Sequence, residues 1–549
     1  MLKGVLTTCE KEERYFMGVY INPGNSGFAE INDSDYVDKT GLIELINQTV
    51  EKKNKLTCIS RPRRFGKSYA AKMLTAYYDC SCDSHHLFDD KKISKTRDYQ
   101  EYLNRYNVIY LDITSFISEA KAQNQSLRDV PVMIQTAIKR DMAESGFDAI
   151  EEESLTEYLV RCVQKNAGRK FIFIIDEWDA MIREAKGNEA VQQSYLNLLR
   201  GWFKNANFTP KAVAAAYMTG ILPIKKNGSQ SAISDFREYS MIKPRKYGEF
   251  VGFTKAEVRG LCEEKGIDFG AMERWYDGYA FKDVGSIYNP NSVMQAIDNH
   301  DFDSYWTETS AAEGLLDYIS RDYNGLTKTI AELIGGVDVK VCTTGFANDL
   351  TTFRGKDDIL TLMVHLGYLA YDSVSKTVRI PNEEIKQEFQ RSIREVKHPE
   401  TIRRLTESDR LFADTIRKNQ EAVAAQIEKV HAEETAALHY NKEESLRSVI
   451  KLAYYTYRDY YIQFEELPAG EGYADILYLP RPDSKWPPLV VELKWNGSAQ
   501  GAIDQIRKKK YPSVLHNFGG PILLVGITYD KDADAGEKKH TCKIIEYRI

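Results

Sequence analysis

Four apolar segments without any alternation of apolar and polar residues constrain the fold of this chain most. These segments lie at residues 56–60, 108–113, 171–175 and 214–222. Strands of this kind are buried on both faces, as in a parallel sheet that is covered by helices. Amphipathic stretches such as 69–78 and 192–203 separate them. The N-terminal half is therefore expected to be an α/β fold built on a parallel sheet.

Length and composition predict a multidomain cytoplasmic protein. The 549 residues are too many for one hydrophobic core, and 43% apolar with 28% charged residues is typical of globular chains. A net charge of -6 provides no overall positive field, so contact with nucleic acid would need local basic patches. The eight scattered Cys indicate reduced thiols. Charges begin too early for a signal peptide, and the apolar runs are strand-length, so no membrane span is expected.

The first apolar segment runs directly into a basic, glycine-containing loop, RPRRFGKS. Backbone N–H groups of such a loop can surround phosphates, and the next helix directs its positive end at them. In this interpretation Gly66 allows close approach, Lys67 contacts the β- and γ-phosphates of ATP, and Ser68 binds Mg²⁺. Arg61 stands where the usual motif has its first Gly, and the alternative is a strand-to-helix turn with a basic surface. The candidate nucleotide contacts are Arg61, Pro62, Arg63, Arg64, Phe65, Gly66, Lys67 and Ser68.

The third apolar segment ends in two acids, Asp176 and Glu177. Asp176 would hold Mg²⁺, mainly through water, and Glu177 would orient or deprotonate the attacking water. Ligands bind at the carboxyl ends of strands in open α/β sheets, so the loop and the acid pair together predict ATP binding and hydrolysis. Thr219, at the end of the fourth segment, could sense the γ-phosphate or could simply end a strand.

A second group of candidate residues lies near the C-terminus. Asp475 begins one apolar segment, and Glu492 and Lys494 lie in another, with a loop rich in Pro and charge between them. The two segments are expected to pair as antiparallel strands. Glu492 and Lys494 are two residues apart and therefore share one face. Burying both on an apolar strand is costly unless they are paired or hold a metal.

This pattern is typical of a metal-dependent nuclease. Asp475, Glu492 and the Leu493 carbonyl are the expected ligands of Mg²⁺ or Mn²⁺, which would lower the pKa of a bound water. Lys494 would orient that water and stabilise negative charge in the transition state. An edge hairpin with a surface ion pair is the alternative. The residues that could assist are Glu444, Gln505 and Lys509.

The middle of the chain is expected to be mainly helical. Asn289 and Pro290 form a helix-start signal, since Asn caps well and Pro is favoured in the first turn. Residues 402–444, charged and rich in Ala, suit a connecting pair of helices. The aromatic cluster WYDGYAF at 275–281 could stack bases, although a domain core is the favoured interpretation.

Several short sequence motifs together resemble those of a known bacterial family. YVDKT, RPRRFGKS, IIDEWD and TGIL, followed by WYDGYAF, YNPNSV, GYLAYD and IPNEEIKQEF, are similar to AAA-like P-loop ATPases with a C-terminal PD-(D/E)XK nuclease-like domain. In that family Arg routinely replaces the first glycine of the loop. The C-terminal pattern matches at Asp475, Glu492, Lys494, Gln505, Lys509 and Tyr511.

The resemblance implies four parts and a function. They are an ATPase core at 1–227, a helical lid at 228–308, a helical, winged-helix-like connector at 309–430 and an α/β nuclease-like domain at 431–549. The expected function is ATP-controlled, metal-dependent cleavage of DNA in defence or mobile-element biology. A regulatory ATPase with a silent nuclease fold that binds nucleic acid or a protein partner is the alternative.

Several points stay open. Nothing in the sequence separates DNA from RNA as the substrate. Because ATPases of this class often complete their site with a neighbouring subunit, a homo-oligomer is open as well. The candidates for a cation that reaches the γ-phosphate of the same or a neighbouring subunit, as an arginine finger does, are Arg63, Arg64, Arg237, Arg245 and Lys246.

Overall fold

The structure is a computed structural model that divides the chain into two compact units. Unit 1 comprises Met1–Ala311 and Lys340–Glu388, and unit 2 comprises Ala312–Val339 and Phe389–Ile549. The residues that the structure describes are 17–148, 153–224, 233–306, 326–334, 336–344, 346, 353, 355–395, 399–434, 450, 453–454, 461–469, 472–480, 486–508, 515, 520–530 and 539–548.

A five-stranded parallel sheet forms the centre of unit 1. Its strands are β1 (Leu56–Ser60), β2 (Asn107–Asp112), β3 (Phe171–Asp176), β4 (Val213–Gly220) and β5 (Arg237–Tyr239). They are arranged in the order β2-β3-β4-β1-β5, and every pairing is parallel. All residues of β1, β3 and β4 are buried, which confirms the parallel sheet predicted from the lack of alternation. The fifth strand was not predicted from the sequence, because three residues are too short to show a pattern.

Helices cover this sheet, as the amphipathic stretches predicted. Helix α3 packs against β2, β3 and β4. A separate apolar cluster joins Phe173 and Ile175 of β3 to Ile134, Leu159 and Trp202 on helices. The helices of this part are α1 (Ser26–Asn32), α2 (Gly41–Asn47), α3 (Lys67–Tyr78), α4 (His85–Phe88), α5 (Tyr99–Tyr102), α6 (Ile113–Ala122), α7 (Val130–Glu144), α8 (Leu155–Lys165), α9 (Ala180–Glu184), α10 (Glu189–Phe203) and α11 (Thr209–Ala212), with short 3₁₀ turns at Lys92–Lys95 and Leu127–Asp129.

The rest of unit 1 consists of helices and short antiparallel strands. Asn289 caps its helix by accepting a hydrogen bond from the Asn291 amide at 3.0 Å, as predicted. Tyr276, Tyr279 and Phe281 are buried, which confirms the aromatic cluster as core. The elements are a 3₁₀ turn (Arg245–Tyr247), β6 (Phe253–Thr254), α12 (Lys255–Lys265), α13 (Phe269–Tyr276), β7 (Tyr279–Phe281), β8 (Gly285–Tyr288) and α14 (Pro290–Asn299), with sheet order β6-β8-β7.

A further helix and a second three-stranded sheet, in the order β10-β11-β9, follow along the chain. Strands β10 and β11 form an antiparallel ribbon in which Tyr371 faces Val378. The elements of this stretch are α15 (Leu326–Ile334), β9 (Val339–Lys340), α16 (Lys356–Leu366), β10 (Ala370–Asp372), β11 (Thr377–Arg379) and α17 (Glu383–Glu395).

Unit 2 contains a mixed five-stranded sheet with an apolar cluster on each face. Its order is β12-β13-β14-β15-β16, and only the β14–β15 pairing is parallel among the described strands. The antiparallel pairing of β13 with β14 confirms the predicted hairpin. Its elements are α18 (Pro399–Ile416), α19 (Gln420–Glu434), β12 (Tyr461–Ala469), β13 (Gly472–Pro480), β14 (Leu489–Trp495), α20 (Ala499–Lys508), β15 (Ile522–Tyr529) and β16 (His540–Tyr547).

Two expectations about the chain's organisation can be compared with these elements. The predicted helical pair at 402–444 corresponds to α18 and α19, and residues 435–444 lie outside the described part. Among the described residues, no helix combines the length and the apolar character that crossing a membrane requires.

Candidate functional site

The loop between β1 and α3 has the backbone geometry of a phosphate cradle. Gly66 precedes the first turn of α3 with φ of 87°, and Arg64 also has a positive φ of 65°. A residue other than glycine is rarely left-handed, so Arg64 marks local strain of the kind that clusters at functional sites. Because α3 begins at Lys67, the unpaired N–H groups of its first turn open toward this loop.

Arg61, predicted as a nucleotide contact, points into the interior instead. Its side chain is fully buried, and Nη1 donates to the carbonyl oxygens of Ser60 at 2.9 Å and Tyr239 at 3.1 Å. The guanidinium carbon lies 5.1 Å from the centre of the Phe281 ring. Burial lowers the pKa of Arg61 to about 10. Arg61 therefore connects the start of the loop to β5 and β7 rather than facing solvent.

The four residues expected to handle phosphate and Mg²⁺ lie together. Lys67 Nζ is 2.9 Å from the Pro62 carbonyl oxygen and 3.3 Å from Glu177 Oε1. Asp176 is almost fully buried, and its carboxyl is hydrogen-bonded to Ser68. Burial raises the pKa of Asp176 to about 6. Strand β4 separates β1 from β3, so residues more than 100 positions apart meet only through the sheet order.

Glu177 occupies a strained and electrostatically crowded position. Its φ is 50°, in the left-handed region. Burial would raise the pKa of its carboxyl, but the cations of Lys67 and Arg183 together hold that pKa below its usual value. Glu177 therefore forms ion pairs with both cations.

Thr219 lies where the sequence placed it, at the carboxyl end of β4 between the loop strand and the acid strand. Its side chain is fully buried. Its carbonyl oxygen accepts from the Trp178 amide at 2.9 Å, whereas its hydroxyl makes no hydrogen bond with any described group. Buried hydroxyls are normally satisfied, so this hydroxyl is a candidate for contact with a ligand or a water.

A cleft of about 990 Å³ adjoins the loop, Lys67, Ser68 and Glu177. Apolar and aromatic residues also line it, and this apolar wall was not predicted from the sequence because its residues come from segments far apart in the chain. Neither Arg61 nor Pro62 lines the cleft, whereas Arg63 and Arg64 do. The apolar and aromatic residues of the wall are Tyr36, Val37, Met73, Phe250, Phe253 and Met294.

The remaining cationic candidates lie elsewhere in unit 1. Arg237 belongs to strand β5, and Arg245 and Lys246 lie in the 3₁₀ turn that follows it. Lys246 Nζ lies 5.2 Å from the centre of the neighbouring Tyr247 ring. None of these three lines the cleft.

The C-terminal candidates lie on one face of the unit 2 sheet. Because Ile476 pairs with Val491 in the antiparallel β13–β14 ladder, Asp475 lies opposite Glu492. Glu492 is 2% exposed, and its Oε1 accepts a hydrogen bond from Gln505 Nε2. Gln505 Oε1 in turn accepts from Lys494 Nζ. Gln505 on α20 thus bridges the acid and the cation.

The backbone also contributes to this C-terminal group. The Leu493 amide donates to Asp475 Oδ2 at 2.8 Å, which connects the two strands at the level of the carboxylates. Within the described part of the chain, no three His, Cys, Asp or Glu side chains are grouped to hold a metal. A metal here would need backbone or water ligands beside the two carboxylates. Glu444, Lys509 and Tyr511 lie outside the described residues.

Comparisons with known proteins agree with the N-terminal part of this picture. Residues 23–229 match a family model described as "Predicted AAA-ATPase". Over 533 residues the chain is 22% identical to an "Uncharacterized protein in vnfD 5'region" from Azotobacter chroococcum mcd 1, covering 93% of this chain and 96% of that protein.

A solved structure is also similar at low level: the Aeropyrum pernix ORC2 protein in ADPNP-ADP complexes, with a TM-score of 0.29 and 12% identity, covering 66% of this chain and 97% of that one. The loop and the acid pair lie within the matched residues, whereas the lining of the cleft also includes residues beyond them, such as Phe253 and Met294. The N-terminal part of the chain, over residues 23–229, thus carries an AAA-ATPase-like domain.

Proposed function

We propose that the chain binds ATP with Mg²⁺ in the unit 1 cleft and hydrolyses it. The observation that carries this proposal is the meeting of Lys67 and Ser68 from one strand end with Asp176 and Glu177 from another. A hydroxyl and a carboxylate are the oxygen donors that Mg²⁺ prefers. The volume and apolar wall of the cleft suit a purine base beside this polar end.

Each residue then has a defined task. Lys67 leaves Glu177 and pairs with the β- and γ-phosphates, while the amides of the loop and of the first turn of α3 donate to phosphate oxygens. Ser68 and Asp176 hold Mg²⁺, which neutralises charge on the phosphates. Glu177 orients the attacking water, and the Thr219 hydroxyl faces the γ-phosphate.

Two substitutions test this proposal. Lys67→Ala is expected to weaken ATP binding by at least about tenfold and to abolish turnover, because a buried cation that recognises phosphate is lost. Lys121→Ala, which breaks an exposed ion pair with Glu184, is the control and should change neither quantity. Retained ATP turnover in Lys67→Ala would refute the assignment of the loop.

For unit 2 we propose a metal-dependent nuclease that cleaves DNA phosphodiesters. Supporting it are the shared face of Asp475 and Glu492, the deep burial of Glu492, and the proximity of Lys494 through Gln505. Asp475, Glu492 and the Leu493 carbonyl would hold Mg²⁺ or Mn²⁺, which supplies a water of lowered pKa. Lys494 would orient that water and stabilise charge on the phosphate. ATP binding in unit 1 would control this activity.

The alternative is a regulatory ATPase whose unit 2 binds nucleic acid or a protein without cutting. It is favoured by the internal hydrogen bonds that engage both carboxylates, from Leu493 to Asp475 and from Gln505 to Glu492. A silent fold of this kind would keep its carboxylates satisfied without a metal.

A nuclease assay separates the two. Supercoiled plasmid, linear DNA, single-stranded DNA and RNA are each incubated with Mg²⁺ or Mn²⁺, with and without ATP. Cleavage should disappear with a chelator and in Lys494→Ala and Glu492→Gln. It should persist in Lys418→Ala, which removes a lysine paired with Glu546 at the surface of the same unit. If the wild type cuts none of these substrates, the alternative holds, and gel shifts then test for binding.

A further inference from the structure

Arg183, near the end of the short helix α9, contacts Glu177 of the acid pair, although no sequence motif pointed to it. Its Nη2 lies 2.5 Å from Glu177 Oε2, and its Nε lies 3.1 Å from Asp179 Oδ2. The side chain is 16% exposed and lines the cleft. One guanidinium thus connects two carboxylates, one of which is the expected water-orienting group.

Asp179 is rigidly held, so it provides a fixed anchor for Arg183. It is fully buried, and its oxygens accept hydrogen bonds from the amides of Ile221 at 3.2 Å and Leu222 at 2.9 Å. A Cβ added at Gly220 would come within 2.4 Å of Asp179 Oδ1, so the turn after β4 packs directly on this carboxylate. Through Asp179, Arg183 is connected to the turn that follows Thr219.

The two oxygens of Glu177 have different partners. Oε1 lies 3.3 Å from Lys67 Nζ, and Oε2 lies 2.5 Å from Arg183. A nucleotide that draws Lys67 to its phosphates frees Oε1 only, because Arg183 is still held by Asp179. Glu177 lies in a turn with a left-handed backbone, so its side chain is not held by a helix or a strand.

We propose that Arg183 is a positioning residue for ATP hydrolysis, holding Glu177 through Oε2 so that Oε1 faces the attacking water. This inference rests on the proposed ATPase function of unit 1. In the step that it serves, the water oxygen bonds to the γ-phosphorus while the bond from that phosphorus to the β–γ bridging oxygen breaks. ADP leaves with the electron pair, and the proton of the water passes to Oε1 and from there to solvent. Arg183 contacts neither the water nor the phosphate.

The prediction is a loss in kcat without a comparable loss in binding. Arg183→Gln is the main variant, because its amide can still donate to Asp179 and so avoids leaving a buried carboxylate unpaired. We expect kcat to fall about 10- to 100-fold, as is usual when a general base loses its orientation, and the Kd for ATP to change less than about threefold. Arg183→Lys, which keeps the charge but has one nitrogen for two carboxylates, should recover part of kcat.

A double-mutant cycle with Glu177→Gln tests whether Arg183 acts through Glu177. Single-turnover hydrolysis is measured for the wild type, both single variants and the double variant, with ATP binding measured by calorimetry and folding checked by thermal unfolding. If Arg183 only positions Glu177, Arg183→Gln adds no further loss once Glu177 is already Gln. Lys121→Ala, which breaks the exposed ion pair with Glu184, the residue after Arg183, is the control and should match the wild type.

Three results would overturn this inference. An equal fold-loss in the Glu177→Gln background would mean that Arg183 acts on the phosphate directly. A large rise in Kd at unchanged kcat would make it a binding residue, and no change in either would leave it without a role in hydrolysis. If the wild type itself hydrolyses no ATP, the proposed function fails, and that outcome is distinct from all three.

Discussion

Lys67 and Glu177 form an ion pair that lines the cleft, with Nζ 3.3 Å from Oε1, although they follow different strands separated by β4. Each is the group that a bound ATP would need, one for its phosphates and one for the attacking water. Their mutual pairing allows both charges to stay largely buried. An ATP molecule bound as proposed would therefore compete with Glu177 for Lys67.

From this competition we expect Glu177→Gln to bind ATP more tightly while it loses hydrolysis. Removing the charge at residue 177 frees Lys67 for the phosphates, and we expect the Kd to fall about three- to tenfold, or roughly 1 kcal/mol. Calorimetric titration with ATP measures this directly. Glu184→Gln, on the surface of α9, is the matched control. Weaker binding in Glu177→Gln would show that the two groups do not compete.

Gly66 and Gly266 provide a matched pair for testing the loop. Both are left-handed, with φ of 87° and 71°, and an added Cβ would meet nothing within 4 Å at either site. Replacing either by Ala should cost about 1–2 kcal/mol in the free energy of unfolding, because only the backbone conformation is strained. Only Gly66→Ala should also weaken ATP binding, since Gly66 alone lies in the cleft. Equal effects on the Kd for ATP in both variants would contradict the proposal that the loop at Gly66 binds phosphate.

Substitution of Arg61 is expected to affect mainly the stability of the protein, whereas substitution of Arg63 is expected to affect mainly the binding of ATP. Arg61→Ala removes a fully buried side chain and two hydrogen bonds, so we expect a loss of about 2–5 kcal/mol in the unfolding free energy. Arg61→Met refills much of the volume, should lose less, and should leave the Kd for ATP within about threefold. Arg63→Ala, which changes the lining of the cleft, should instead weaken binding. Urea unfolding and ATP titration of the three variants check this. A tenfold loss of affinity for ATP in a folded Arg61→Met variant would show that Arg61 contacts the nucleotide.

A buried histidine pair in unit 2 predicts acid sensitivity. His431 Nδ1 and His540 Nε2 are 2.9 Å apart, and both side chains are fully buried. Burial, with His431 and Lys539 nearby, lowers the pKa of His540 to about 3. Between about pH 6.5 and pH 3 the unfolded chain therefore binds a proton that the folded chain does not. Stability is complete above pH 6.5 and falls as the pH decreases, by at most about 1.4 kcal/mol per pH unit for this group.

The pH prediction is checked by urea unfolding of the wild type and His540→Phe at pH 7.5 and pH 5. The variant should lose part of the difference in unfolding free energy between the two pH values. His86→Phe, at an exposed histidine, should keep that difference. An unchanged pH difference in a folded His540→Phe would show that protonation of this pair does not contribute.

The sequence made Lys67, Ser68, Asp176 and Glu177 candidates for the N-terminal site, because apolar strands ending in a basic loop or an acid pair are local patterns. The structure brings these four side chains together. The direction of Arg61 was not predictable, since loop position does not show whether a side chain turns toward the cleft or toward β5. The sequence did not point to Arg183, because its proposed role depends on distances to Glu177 and Asp179.

The C-terminal group shows the same division. The spacing of Glu492 and Lys494 predicted a shared face, and the hairpin with Asp475 followed from two apolar segments around a Pro-rich loop. The position of Asp475 opposite Glu492 depends on strand register, which a shift of one residue would reverse. The hydrogen bonds of Gln505 to both Glu492 and Lys494 depend on how α20 packs on the sheet.

By itself the sequence determined which segments are buried strands, which turns carry the charged groups, and which residue types are available for phosphate and metal. These are properties of neighbouring residues, governed by burial on one or both faces and by local backbone preference. Only the tertiary structure decided the strand order that joins Lys67 to Glu177, the apolar wall contributed by Val37, Phe253 and Met294, and the anchoring of Arg183 by Asp179. Such contacts link positions far apart in the chain, and their energies depend on distances that no local pattern specifies.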